Sequence, residues 1–291
     1  MSDTQLLQAI LDVLEPKTGK ITQINHEQLA GGDINQALLV RTNHGNFFVK
    51  YNNARLYPDM FKQEATGLRL LSQANELGIP EIIGTGSTPK TSFLILEYIQ
   101  TGTAGQDFMY NFGTKLAGLH RHTHETFGLH SDNYIGSLRQ SNKPHLQWIP
   151  FFIHERLLPQ VKMARDNGLL SKRSGDSFSR LFVKLEGILP SEPPALVHGD
   201  LWNGNYLCSE SGEPFLIDPA AYYGHREADI SMTKLFGGFS PEFYQAYQSS
   251  YPMEPGWQAR TEIFNLYPLL VHVNLFGGGY VDSVNTIVRK F

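Results

Sequence analysis

The segment His198-Gly199-Asp200-Leu201-Trp202-Asn203-Gly204-Asn205 sets a carboxylate five positions ahead of a carboxamide, and Leu216-Ile217-Asp218 brings a second carboxylate shortly after. An Asp followed by an Asn at that spacing, between two short apolar runs, has the layout of the phosphoryl-transfer loop H-R-D-x-x-x-x-N. The chemistry needs an acceptor beside the attacking hydroxyl, to orient it and take its proton, and Asp200 can supply it. It also needs oxygen ligands for Mg²⁺, which Asn205 and Asp218 can supply. Asp218 falls on the second strand of a hairpin, so it can face the same cleft. Asp and Asn also cap turns, but turn capping alone does not call for the whole string with a second Asp downstream.

A site of this kind requires a cation for the nucleotide phosphates. Phe47-Phe48-Val49 is an apolar run ending in Lys50, which suits a cleft-facing ammonium pairing with the α- and β-phosphates. Glu64 is its expected partner, because it shares a helix face with Leu68 and Leu71 instead of sitting on a polar face. Gly31-Gly32 precedes the hairpin, where a turn over the phosphates is expected, although it is not G-x-G-x-x-G. Glu97-Tyr98-Ile99 leaves the apolar strand Phe93-Leu94-Ile95-Leu96, and its backbone could meet the adenine edge. ATP and Mg²⁺ are therefore the expected cofactors, with Gly31, Gly32, Lys50, Glu64, Glu97, Tyr98 and Ile99 on the nucleotide.

The elements that must hold these residues follow from periodicity. Leu6, Leu7, Ile10, Leu11 and Leu14 form one stripe of an N-terminal amphipathic helix. A strand is expected over 21–29, and a hairpin joins Ala37–Thr42 to Asn46–Tyr51 at Asn43-His44-Gly45. Pro58-Asp59 opens a helix with Phe61, Glu64, Leu68 and Leu71 at spacings of three and four, which ends at Gly78-Ile79-Pro80. Thr91–Ile99 reads as a buried strand. Beyond it the pattern is helical over 112–120, 148–164, 178–189 and from 228 onward, interrupted by Ala195–His198 and a small hairpin of Tyr206-Leu207 with Phe215–Ile217. This order predicts an α+β fold of two lobes: a nucleotide lobe over 1–99, a hinge over 100–105 and a mainly helical lobe over 106–291 carrying the catalytic loop.

Composition narrows the partners. The net charge of −4 with 24 Lys and Arg offers no basic surface for nucleic acid. No stretch approaches the length of a membrane span, and the N-terminus lacks the charged and apolar regions of a signal peptide. A single cysteine, Cys208, excludes an internal disulfide and is expected to be a buried, inert thiol. A cytoplasmic protein is the expectation. His120, His122 and His124 lack the intervening Glu of H-E-x-x-H and read as helix-end histidines.

HGDLWNGN, with Trp202 after Asp-Leu, resembles the fructosamine kinases, or ketosamine-3-kinases, of the aminoglycoside phosphotransferase and protein-kinase-like fold. H-G-D-x-x-x-x-N is shared with choline, homoserine and aminoglycoside kinases; Trp202-x-Gly204-Asn205 narrows the likeness. Gly31–Asn35, Phe127-Gly128, Asn133–Gly136, Trp148, Phe151-Phe152, Tyr223–Ile230 and Leu235–Phe239 extend it along the chain. The resemblance implies a small antiparallel-sheet lobe with one key helix above a larger helical lobe. It implies ATP-dependent phosphorylation of O3 of a ketosamine such as a fructosamine or ribulosamine, free or on a glycated protein lysine, after which the amine is regenerated. Asp200 is then the base, Asn205 and Asp218 the metal ligands, Lys50 and Glu64 the holders of ATP, and Trp202 the platform for the sugar. Asp229 would brace the catalytic loop. Some members link two chains through a cysteine in the glycine loop; Asp33 stands in the neighbouring position here, and the loop has no cysteine. Oligomeric state stays open. The alternatives are a kinase of the same fold acting on another hydroxyl acceptor, and a nucleotide-binding pseudokinase, which the presence of Lys50, Asp200, Asn205 and Asp218 disfavours.

Overall fold

The computed structural model describes residues 3–29 and 34–291. Gly31 and Gly32 lie outside the described residues. The chain opens with α1 (Asp3–Thr18), β1 (Ile24–Leu29), β2 (Gln36–Thr42), β3 (Gly45–Asn53), α2 (Met60–Ala74), β4 (Ile82–Ser87) and β5 (Thr91–Glu97). These strands form one antiparallel sheet in the order β1-β2-β3-β5-β4. Side chains alternate across it as the pleat requires. Leu38, Val40, Phe47, Val49, Phe93 and Ile95 face one way and close on Leu6, Ile10 and Leu14 of α1. Leu94 and Leu96 face the other way and close on Phe61, Ala65 and Leu68 of α2, with Phe48 packed alongside. Lys50, two residues on from Phe48, therefore projects from the α2 side of the sheet.

The strand β4 is absent from the sequence-based expectation because its glycines hide it. A Cβ at Gly86 would lie 2.2 Å from the Phe93 ring, its ladder partner, and one at Gly84 would lie 2.6 Å from Val13 of α1. Both glycines allow close packing that a side chain would block.

The remainder consists of α3 (Phe108–Leu119), the short pair β6 (Asn133–Ile135) and β7 (Leu138–Gln140), α4 (Trp148–Phe151), a π-helical turn (Phe152–Leu157), α5 (Leu158–Asp166) and α6 (Lys172–Lys184). It continues with β8 (Ala195–Val197), β9 (Tyr206–Cys208), β10 (Pro214–Leu216), β11 (Tyr222–Gly224), α7 (Glu227–Leu235), α8 (Pro241–Ser250), α9 (Trp257–Phe264), α10 (Leu266–Phe276) and α11 (Gly279–Val288). Where one small hairpin is expected, two ladders form: β9 with β10, and β8 with β11. The loops 198–205 and 217–221 connect these two ladders and so run side by side. The far end of α2 (Leu71 and Ala74) shares a core with α3 and with Leu196, Leu201 and Leu216, which anchors the Glu64-bearing helix to the catalytic ladders. None of the described helices is long and apolar enough to cross a membrane.

Candidate active site

The two loops are tied together before any ligand is considered. Ala220 N–H donates to His198 O at 3.0 Å, and Ile217 N–H to Asn205 O at 3.1 Å. The buried His198 ring donates from Nε2 to Ile217 O (2.9 Å), and its Nδ1 accepts from Asp200 N–H (3.2 Å). That arrangement needs the neutral ring, and burial holds the His198 pKa down against the nearby Asp229. Gly199 has φ +83°, and a Cβ there would lie 2.3 Å from Ala220 O; only glycine lets the two loops approach this closely.

Asp229, at the start of α7, braces this junction. Its carboxylate accepts from His198 N–H (2.7 Å), Gly199 N–H (2.9 Å) and His120 Nε2 (3.2 Å). These hydrogen bonds and the neighbouring histidines hold its pKa down against burial. Asp229→Asn would turn an amide N–H₂ toward one of these donors. A loss of roughly 2–4 kcal/mol of stability is expected, seen as a fall in the unfolding midpoint; an unchanged midpoint would remove Asp229 from this role. The three histidines singled out by the sequence go to separate partners: His120 to Asp229 and Tyr247, His122 to Glu76, and His124 onto the Tyr223 ring. They do not form a metal site.

Lys50, Glu64, Asp200, Trp202, Asn205 and Asp218 all line one cavity of about 360 Å³, walled by Phe48 and Met60 on one side and by Asn133, Tyr134 and Gly136 on the other. Lys50 is 5% exposed, and its Nζ donates to Glu64 Oε1 (2.7 Å) and Asp218 Oδ1 (2.8 Å). Burial alone would lower its pKa, but the Asp218 and Glu64 carboxylates outweigh burial and raise it. Burial raises the Glu64 pKa against the pull of Lys50. Lys50 is thus a fixed cation at the cavity wall.

Asp200 is half-buried and lines the same cavity as Lys50. Burial, with Asp218 and Asp229 nearby, lifts its pKa to about 7, although the Asn205 amide opposes this. A carboxylate poised near neutrality suits a general base. Asn205 Nδ2 donates to Asp200 O (2.8 Å) and Oδ2 (3.1 Å), leaving its Oδ1 for a cation. Asp218 has φ +55°, a left-handed conformation that Asp and Asn tolerate better than other side chains. With one oxygen on Lys50 and its side chain 43% exposed, it keeps the other for a ligand. An amide oxygen and a carboxylate oxygen are the hard donors that Mg²⁺ takes, so these residues fit the ion.

Trp202 stands at the cavity edge and is 37% exposed. A Cβ at Gly204 would lie 2.4 Å from the Trp202 ring, so Gly204 is the residue that lets the indole fold over the loop. This is the physical content of the Trp-x-Gly pattern.

Glu97, Tyr98 and Ile99 are not among the residues lining this cavity. Glu97 N–H is committed to Glu81 O (2.8 Å) and its carboxylate accepts from Glu81 N–H (3.1 Å), so toward adenine Glu97 could offer only its carbonyl. The link that follows is fastened to the β9–β10 turn: Gly102 N–H donates to Cys208 O and Glu210 N–H to Gln100 O, both at 2.9 Å. Cys208 is half-buried instead of fully buried, and burial raises its pKa, which keeps the thiol protonated. Sequence reasoning missed Asn133, Tyr134 and Gly136 as cavity residues; their only signal was their place within the family-like stretch 133–136.

A buried pair of a sheet lysine and an α2 glutamate, sharing one cavity with an Asp-x-x-x-x-Asn loop and a second Asp, defines a kinase of the protein-kinase-like fold. The chain belongs to the fructosamine kinase family, whose model matches residues 6–291. It is 38% identical over 277 residues to a probable ketoamine kinase of Lactiplantibacillus plantarum, covering 93% of this chain and 96% of that protein. It is also 38% identical over 287 residues to the chloroplastic protein-ribulosamine 3-kinase of Oryza sativa subsp. indica, covering 95% of this chain and 81% of that protein. The crystal structure of a Haemophilus somnus 129PT protein assigned as a fructosamine-3-kinase superposes with a TM-score of 0.89 at 30% identity, covering 98% of this chain and 97% of that one. An aminoglycoside phosphotransferase solved with AMP-PNP and hygromycin B has a TM-score of 0.62 at 16% identity, covering 97% and 98% of the two chains, and shows the shared fold alone.

Proposed function

We propose that this protein transfers the γ-phosphoryl group of ATP to O3 of a ketosamine, a fructosamine or ribulosamine, with Mg²⁺ bound at Asn205 and Asp218. The observation that carries the reading is that Asp200 and the Glu64-held Lys50 line one cavity, with Trp202 at its edge. Lys50, held by Glu64, pairs with the α- and β-phosphates. The metal, when bound, neutralises phosphate charge and aligns the γ-phosphoryl group. Asp200 Oδ accepts a hydrogen bond from the sugar O3–H, orients the oxygen toward phosphorus, and takes the proton as the O–P bond forms. Gly31 and Gly32, outside the described residues, are assigned to the ATP phosphates on their place before the β2–β3 hairpin alone. Ile99 and Tyr98, with the Glu97 carbonyl, border the adenine. The segment 100–105 is the hinge between a nucleotide lobe over 1–99 and an acceptor lobe over 106–291; its bonds to the β9–β10 turn support a fixed pivot.

The Trp202 indole packs on the C–H face of the sugar. Trp202→Ala is expected to raise KM for the ketosamine about tenfold with KM for ATP unchanged; the reverse pattern in a two-substrate titration would make Trp202 a loop support. The reaction itself is tested by incubating a fructosamine with ATP and magnesium and locating the phosphate by ³¹P and ¹³C NMR. Phosphate on O3, followed by release of free amine, is expected; phosphate elsewhere would contradict the assignment.

A further inference from the structure

A row of aromatic rings leads away from the acceptor side of the cavity. Trp202 meets Phe236 edge-on with ring centroids 6.1 Å apart, Phe236 lies 5.2 Å from the His272 ring, and His272 lies 5.6 Å from Phe276 and 4.8 Å from Tyr280. The rings come from four separate pieces of chain: the catalytic loop, the end of α7, α10 and α11. Packing of the interior does not explain them, since Trp202, Phe236 and Phe276 are 37%, 39% and 52% exposed. His272 Nδ1 donates to Pro268 O at 2.7 Å, which fixes the central ring. Gly136, a cavity residue, would with a Cβ lie 3.0 Å from Leu275 of α10, so α10 borders the cavity just before it presents Phe276. Among the described residues no Lys or Arg lies over any of these rings.

The direction of the row matters. Lys50 and Glu64 occupy the sheet side of the cavity, whereas the rings start at Trp202, two positions past Asp200, and run over the helical side. In a ketosamine the nitrogen hangs from C1, two carbon–carbon bonds from the carbon that bears O3. With O3 at Asp200 and the sugar on Trp202, a nitrogen substituent that follows the row meets Phe236 first. Exposed rings in a row favour a flat, apolar substituent over a hydrated polar one. Resting on the ketosamine-kinase reading above, we infer that Phe236, His272, Phe276 and Tyr280 form a subsite for the amine portion of the substrate, and that it takes an aryl-bearing amine.

The test compares ADP release by the full chain on three fructosamines: N-benzyl, N-(2-hydroxyethyl), and fructosyl-lysine within a short peptide. The benzyl compound is expected to show a kcat/KM about tenfold above the hydroxyethyl compound, through KM, as one aromatic contact gives. Phe276→Ala should bring that ratio toward one. Phe276→Leu, which keeps apolar volume at an exposed position and so guards against misfolding, should reduce the ratio in part. Benzylamine should compete with the ketosamine and not with ATP. Equal kcat/KM on the three compounds, or a peptide preference untouched by either variant, would overturn the subsite while leaving the kinase reading intact. No ADP release from any of the three would overturn both.

Discussion

Asp200→Asn is expected to lose about 10³-fold in kcat, within the range that general-base catalysis supplies, while binding of Mg·ATP persists. Asparagine keeps the side-chain shape and can still accept from Asn205 Nδ2 through Oδ1, so the loop stays in place. What is lost is the group that takes the proton. The same variant should be more stable than the wild type. The Asp200 pKa is raised to about 7 in the fold, so between the ordinary carboxylate range and about pH 7 the folded state holds a proton that the unfolded chain has released. Folding stability contributed at this position is therefore lost as pH rises through that window. Removing the ionisable group recovers it: roughly 2 kcal/mol at neutral pH, after allowance for the half-buried site. Loss of turnover together with a higher unfolding midpoint is the signature of a catalytic carboxylate, measured by single-turnover kinetics and thermal unfolding. An inactive variant that is also destabilised would point to a structural role, and full residual activity would remove Asp200 from catalysis. In the free wild-type enzyme, kcat/KM should correspondingly fall as pH drops below about 7, because protonated Asp200 cannot accept from the sugar.

Asp218→Asn should act on the nucleotide instead. The carboxylate meets Lys50 with one oxygen and, on a side chain 43% exposed, keeps the other toward the cavity. Asparagine tolerates the left-handed backbone at φ +55°, so the substitution removes charge without adding strain, as alanine would. Affinity for ATP in the presence of magnesium is expected to drop by about 10²-fold, the loss of one charge-assisted metal contact. Affinity for ATP without magnesium should change little, since Lys50 keeps Glu64. Isothermal titration with and without magnesium separates the two. Equal loss in both conditions would mean that Asp218 positions Lys50 and does not bind metal. A secondary expectation is that the Asp200 pKa moves down in this variant, because Asp218 is one of the charges that raise it.

How much of this was legible in the sequence depends on the length scale involved. Asp200, Asn205 and Asp218 sit close together in the chain, and their spacing alone brought them to one cavity. Lys50 and Glu64 needed only the period-two and period-four patterns of β3 and α2, because an apolar run ending in Lys and a Glu on an apolar helix face both resist the ordinary solvated reading. The hairpin, the buried strand β5 and the α+β order were legible for the same reason. The strand β4 was not: Gly84 and Gly86 are there to admit Val13 and the Phe93 ring, and a contact with distant residues leaves no local pattern. The pairing of β8 with β11 was hidden likewise, since three-residue strands carry too few side chains for alternation to register. The resemblance points to Asp229 as a brace for the loop, but its grip on His120 across the fold belongs to tertiary packing. Asn133, Tyr134 and Gly136 line the cavity from a two-stranded excursion that composition does not mark. The adenine border at Glu97 rests on position alone, and the bond from its N–H to Glu81 O limits what it can offer.

The most direct test of the account is ADP release measured across a panel of acceptors: fructosamines, ribulosamines and erythrulosamines against choline, homoserine and an aminoglycoside. Turnover on ketosamines that depends on magnesium and is absent with the other three acceptors is the predicted result. Turnover on choline, homoserine or the aminoglycoside with none on any ketosamine would contradict it.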